Sequence, residues 1–281
     1  MSQLRRRMIE NMQLRGYAKS TQQSYLWAVE SLSRHYGRAP DRLGDEDLRQ
    51  YFLHLINAKQ VAASTLQIQR YGIQFFFERV LGRTWPALDL VCHKRRKKLP
   101  VVLSRQEVQR VLRCVHSLRQ RACLMVIYGC GLRLSEGRCL QIRDIDSDRM
   151  QVHVRGGKGG KDRYVPLPSR CLDLLRVYWS RERPPRPWLF PVRQGGRPID
   201  SGTVQKAFRG ALRESRVNKA ASVHTLRHSY ATHLVEAGLA LHLIQQLLGH
   251  KSPTTTVIYT HLTQKIKGDV CAAVNDLMDQ P

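Results

Sequence analysis

Apolar residues in the first part of the chain recur with the period of a helix. Tyr25, Val29, Leu32 and Tyr36 stand three and four apart, between Ser20, which reads as an N-cap, and Gly37, just past the end. A second stripe, Leu48, Phe52 and Leu55, follows the acidic start Asp45-Glu46-Asp47. A third, Leu66, Ile73, Phe76, Phe77 and Val80, begins near Ser64 and stops at Gly82. With a short helix over 4–15, residues 1–82 read as a small all-α domain. Residues 83–100 lose the period, carry two prolines and contain the run Lys94, Arg95, Arg96, Lys97 and Lys98, so they read as an interdomain linker.

The pattern changes after residue 100. Ser104 and Glu107 make a capping box ahead of Val108, Val111, Leu112 and Val115, and another helix is predicted over 119–128. Val152 and Val154 then alternate with polar residues, GGKGG supplies a turn, and Tyr164, Val165 and Leu167 return, which predicts a hairpin. Further helices are expected near 169–181, 202–215, 224–237, 240–248, 253–260 and 264–278. The fold class is therefore mainly α with a small antiparallel β-sheet (α+β): an all-α domain, then a mixed helical domain over 101–281.

Charge narrows the partner. Lys and Arg number 47 against 22 acids, a net charge of +25. Such an excess opposes compaction unless a polyanion is near, and points to nucleic acid. A membrane surface is the weaker partner, because no basic helix with a bulky apolar face is visible. A generally basic soluble protein is the plain alternative. The start of the chain has no apolar signal core, and the longest apolar run, 122–132, is too short to span a bilayer. Seven cysteines, an odd number without a CxxC, fit free thiols in a reducing cytosol. A cytoplasmic, nucleoid-associated protein is expected.

The stretch HTLRHSYATHL, 224–234, is rich in candidate chemistry. On a helix, His224, Arg227 and His228 share one face. Two imidazoles at that spacing can hold a metal, and with a guanidinium they can hold a phosphate. Other candidates are Arg133 with Glu136 one turn on, Lys158 at the hairpin tip with Lys161 as its rival, His250 after Gly249, and Tyr259. Singly, each has a plainer use: a surface ion pair, a solvated lysine, a helix cap, a half-buried core tyrosine.

Their order is more specific than any one of them. GLRLSE, GGKGGKDRYVPL, HTLRHS, LLGHKS and IYTH follow one another, with nine residues from His250 to Tyr259. In this the chain resembles the tyrosine recombinases, the phage integrase-like family, over essentially its whole length. The resemblance implies a helical, SAM-like core-binding domain over 1–82, a basic linker that helps two domains close on DNA, and a catalytic domain over 101–281 with a tail helix. It implies that Tyr259 is the nucleophile, Arg133 and Arg227 clamp the phosphate, Lys158 is the hairpin lysine, and His224 and His250 flank the scissile phosphate. Glu136 would support Arg133, and His228 would be structural. It further implies duplex DNA with inverted-repeat core sites, a homo-oligomer on DNA that is a tetramer in the synapse, accessory DNA-bending proteins, and no cofactor. Two departures stand out. The hairpin turn has one glycine more than the usual GKG, which keeps Lys161 in contention. Gly137 stands where the family usually has an apolar residue, which predicts a loose helix after Arg133.

The chemistry of these residue types agrees. Planar arginines contact the non-bridging oxygens of a phosphodiester bidentately. A tyrosine with a pKa of about 10 needs a nearby base. The departing 5′-oxygen needs a proton, and a lysine among arginines is a suitable donor. Three converging cations and one carboxylate repel a divalent metal, so the stretch suits a phosphate and no metal ligand is assigned. The alternatives are a type IB topoisomerase-like relaxing enzyme and a non-catalytic DNA-binding protein. A metal-dependent nuclease would need clustered carboxylates, of which none is convincing.

Overall fold

Apolar stripes of the predicted period do become helices, and of the expected end signals Gly37 and the box of Ser104 and Glu107 are in place while Ser20 is not. The structure, a computed structural model, describes residues 3–84, 100–156, 162–193 and 195–249. It divides into two units, Met1–Lys97 and Lys98–Pro281.

In the first unit, α1 is Gln3–Leu14, α2 Lys19–Tyr36, α3 Asp45–Leu53 and α4 Ala63–Phe75. Ser20 is not the cap of α2: the helix opens at Lys19, with Ala18 in the N-cap position and no side chain capping it. Its C-cap is Gly37, left-handed at φ 61°. At the start of α3 the Asp47 carboxylate accepts the Gly44 N–H at 2.9 Å. Both α3 and α4 run on into one wider turn, marked by i→i+5 bonds from Lys59 N–H to the His54 carbonyl at 3.0 Å and from Leu81 N–H to the Phe76 carbonyl at 3.1 Å. This carries the predicted stripes to Leu55 and Val80, both buried. Gly72 lets α4 lie on α2, for a Cβ there would stand 2.8 Å from that of Ala28. Met8, Leu32, Phe52, Ile73 and Phe76 fill the core, and burying each such side chain contributes about 1.5–3 kcal/mol.

The second unit begins with α5 (Arg105–Arg113), whose capping box is present: Ser104 Oγ accepts the Glu107 N–H at 3.2 Å and Glu107 accepts the Ser104 N–H at 2.7 Å. Next come α6 (Leu118–Gly129) and the short α7 (Leu134–Arg138). A three-stranded antiparallel sheet follows, β1 (Ile145–Asp146), β2 (Gln151–Val154) and β3 (Arg163–Pro166), in the order β1-β2-β3 with Val152 opposite Val165. Val152, Val154, Val165 and Leu167 face the core. Tyr164 does not; it is exposed and stacks on His153 across the pair, with ring centroids 4.7 Å apart. The remaining described helices are α8 (Ser169–Glu182), α9 (Ser201–Glu214), α10 (Val223–Glu236) and α11 (Leu241–Leu248). The core joins Val108, Val111, Ile127, Tyr178, Phe208 and Leu226 from these elements. The helices expected at 253–260 and 264–278 lie outside the described residues.

The helix after Arg133 is not loose. Gly137 is buried, and a Cβ on it would stand 2.4 Å from Ile127 Cγ1. Ile127 on α6 thus occupies the space that a larger residue at 137 would fill. Gly137→Leu is expected to destabilise the second unit by about 1–3 kcal/mol through overpacking. The double change Gly137→Leu/Ile127→Ala should recover part of that loss in thermal unfolding, whereas equal or greater loss in the double variant would contradict this packing.

Candidate active site

The turn that leads to Arg133 is dictated by glycine. At the end of α6 the Leu132 N–H bonds the Ile127 carbonyl at 2.9 Å and the Gly131 N–H bonds that of Tyr128 at 3.2 Å, with Gly131 left-handed at φ +61°. This is a Schellman ending, which wants glycine at that position. A side chain there would also strike the Tyr230 ring, 2.4 Å away. The chain turns at once into α7, with Arg133 as its N-cap residue. Three residues on, the Glu136 carboxylate reaches back to accept the Arg133 N–H at 2.9 Å and its Nη1 at 2.6 Å. The R-x-x-E spacing is therefore half of a capping box, and it aims Glu136 at the Arg133 side chain.

Glu136 is a hub. Arg163, at the start of β3, grips it bidentately through Nη1 at 3.1 Å and Nη2 at 2.8 Å, and Arg227 Nη1 lies 3.6 Å from it. Burial alone would push this carboxyl's pKa up. The bonds from Arg163 and Arg133 outweigh burial and bring it down from 4.5 to about 2. The same three arginines turn to the end of α11. Arg163 Nε donates to the Leu247 carbonyl at 2.8 Å, Arg227 Nη2 to that of Leu248, and Arg133 Nη2 to that of Gly249 at 3.3 Å. These are orphan carbonyls at the negative end of a helix, where cations are favoured. Arg227 also donates to the Gly131 carbonyl at 2.7 Å and is 1% exposed, while the Arg133 side chain keeps 22% of its surface.

His224 is exposed in the first turn of α10, and its ring meets that of His228 edge-on at 4.5 Å. Partial loss of hydration, then Arg227 and Arg133, lower the pKa of His224. Burial, then His224 and Arg227, lower that of His228 to about 4. Both rings are thus neutral at neutral pH, and a neutral imidazole can accept a proton. The third histidine of the stretch, His233, is separate: its Nδ1 pairs with the Tyr128 hydroxyl at 2.9 Å. Tyr230 is packed against Gly131 with its pKa raised to about 12, chiefly by burial. Among the described residues no group of three or more His, Cys, Asp or Glu side chains is placed to hold a metal.

Of the residues expected at the site, Arg133, Glu136, His224, Arg227 and His228 are brought together. Lys158, Lys161, His250, Tyr259 and the basic run Lys94, Arg95, Arg96, Lys97 and Lys98 lie outside the described residues. Arg163 was not anticipated, although a signal for it exists. Arg163, Val165 and Leu167 alternate along one strand, so Arg163 falls on the inward face, where a charge requires a partner.

The chain is similar to known proteins. The sequence pattern of the phage integrase family matches residues 101–265, and that of the phage integrase N-terminal SAM-like domain matches 4–87. The chain is 44% identical over 284 residues to a Sinorhizobium fredii protein called an integrase/recombinase, covering 100% of this chain and 91% of the relative. It is 34% identical to the tyrosine recombinase XerA of Pyrococcus furiosus, covering 90% and 87%. Among solved structures, the XerH site-specific recombinase in a post-cleavage complex with a palindromic difH substrate aligns with a TM-score of 0.72 at 20% identity, over 92% of this chain and 81% of that one. A lambda integrase tetramer bound to a Holliday junction aligns at 0.74 and 18%, over 91% and 76%. Likeness at that identity bears on the fold.

The depressed pKa of Glu136 makes stability depend on pH. A carboxylate lowered from 4.5 to about 2 adds on the order of 3 kcal/mol, fully present above pH 4.5 and lost as pH falls toward 2. Glu136→Gln should therefore lower the thermal midpoint of the second unit at pH 7, with the gap to wild type narrowing at pH 3. A gap that does not change with pH would contradict the ionised hub.

Proposed function

The chain belongs to the phage integrase family and is a tyrosine site-specific recombinase, and from that premise we propose that it breaks and rejoins duplex DNA through a 3′-phosphotyrosyl intermediate on Tyr259. The observation that carries the site assignment is the gathering of Arg133 and Arg227, from two distant segments, around Glu136, with His224 close enough to both arginines to feel their charge.

In the proposed step the Tyr259 oxygen attacks phosphorus, the new O–P bond forms, and the bond from phosphorus to the 5′-oxygen breaks. Arg133 and Arg227 hold the two non-bridging oxygens and offset the charge that builds on them. The phenol proton passes to a neutral imidazole, His224 or His250. Lys158, with Lys161 as the rival, protonates the departing 5′-oxygen. The phosphoester bond is kept, so another strand's 5′-hydroxyl can reverse the step without ATP or a metal. Arg227 is enclosed in this structure, so contact with DNA has to uncover it. Glu136 supports the clamp, and His228 backs His224.

Residues 1–82 form the core-binding domain, 83–100 the basic linker and 101–281 the catalytic domain with its tail helix. The substrate is double-stranded DNA with inverted-repeat core sites, bound by a homo-oligomer that is a tetramer in the synapse. Accessory DNA-bending proteins join it, and it works in the cytoplasm on the nucleoid. The +25 charge supports DNA as the partner, and the likeness to a DNA-bound XerH recombinase and to a lambda integrase tetramer on a Holliday junction supports an oligomer on DNA. Among the described residues no helix is long and apolar enough to cross a membrane.

Tyr259→Phe removes one oxygen and no charge. Its affinity for DNA and its salt dependence should match wild type, because many lysines and arginines supply both. On a nicked duplex built from inverted repeats flanking the gene, wild type should form a covalent adduct even in EDTA and the variant none. An adduct formed by Tyr259→Phe would reassign the nucleophile, and loss of the wild-type adduct in EDTA would overturn the metal-free chemistry.

A further inference from the structure

We propose that Arg163 is a positioning residue that neutralises Glu136 and so leaves the charge of both clamp arginines to the phosphate. This rests on the phosphate role assigned above to Arg133 and Arg227. A carboxylate placed to orient a guanidinium also cancels its charge. With Arg133 and Arg227 alone on Glu136, the cluster would carry 2 − 1 = +1; with Arg163 it carries 3 − 1 = +2. A phosphodiester is a monoanion, and its pentacoordinate transition state is a dianion. The third arginine brings the cluster's charge to match the transition state more than the ground state, which is where stabilisation speeds the reaction.

The geometry fits a residue that serves Glu136 and does not itself contact DNA. Arg163 takes both carboxylate oxygens in a fork, whereas Arg133 takes one with a single Nη. Its side chain is only 11% exposed. Its Nε holds the Leu247 carbonyl, and its guanidinium lies against Gly249, where a Cβ would come within 3.2 Å of Nη1. Gly249, left-handed at φ +61°, is what permits that approach. Arg163 thereby joins the strand that follows the lysine-bearing turn to the helix end that precedes His250. A lysine cannot reproduce the fork.

The test uses the full chain in single-turnover adduct formation on a nicked duplex made from the inverted repeats flanking the gene. Arg163→Gln should slow cleavage about 100-fold while retaining DNA. Arg163→Lys, which keeps the charge without the fork, should slow it roughly 10-fold. The decisive variant is Glu136→Gln/Arg163→Gln, in which both charges are gone and the sum returns to +2. It should cleave about 10-fold faster than Arg163→Gln alone. A brace with no electrostatic role would make the two losses multiply instead. Cleavage by Arg163→Gln within threefold of wild type, a double variant slower than Arg163→Gln, or a folded Arg163→Lys as slow as Arg163→Gln would each overturn the proposal. If Arg163→Gln does not fold, the comparison runs between Arg163→Lys and the double variant, which should then cleave at similar rates; a double variant at least 10-fold slower overturns it. Absence of any adduct in wild type would instead bring down the proposed function.

Discussion

A carboxylate with only 6% of its side chain exposed has given up most of its water, and it stays ionised only if fixed cations replace that water. Glu136 meets this condition with three arginines that come from three separate segments: the α6–α7 turn, the start of β3 and the middle of α10. Each arginine then uses further N–H groups on the last carbonyls of α11. One acidic group thus gathers two of the expected site arginines and, through Arg163, ties the start of β3 to the end of α11. Removing a partner would leave a buried charge uncompensated.

Close backbone approach is the second constraint. Gly131 ends α6, gives its carbonyl to Arg227 and leaves room for the Tyr230 ring. Gly137 seats α7 on Ile127, and Gly249 seats the end of α11 on Arg163. In each place a side chain would push a helix end away from the hub. The same cluster leaves His224 exposed and uncharged beside two guanidiniums, which is the condition for a base next to an anion site.

Much of this was legible because it is local. The stripes through Leu32, Leu48 and Ile73 and the box of Ser104 and Glu107 involve residues three or four apart, and they form as the period predicts. Arg133 with Glu136 is of the same kind. Where the reading failed, the cause was non-local or conformational. Ser20 looked like a cap, but α2 opens one residue earlier. The short β1 and the chain around Leu189 are held by pairs such as Leu189 N–H to the Leu140 carbonyl, which no local pattern announces. Arg163 finds its carboxylate 27 residues away, and only its place among inward-facing residues hinted at it. That Arg227 is buried depends on Gly131 and Leu248, both far from it in the chain.

The central claim is that Glu136 assembles Arg133 and Arg227 into one phosphate clamp. It is tested most directly by a crystal structure of Tyr259→Phe on duplex DNA carrying the inverted repeats that flank the gene. The expected result is a single phosphate whose two non-bridging oxygens lie about 2.8 Å from nitrogens of Arg133 and Arg227, with Glu136 still held by Arg163 and the ring of residue 259 in line with the 5′-oxygen. Arg227 remaining on the Gly131 and Leu248 carbonyls, with Arg133 on a different phosphate or none, would contradict it.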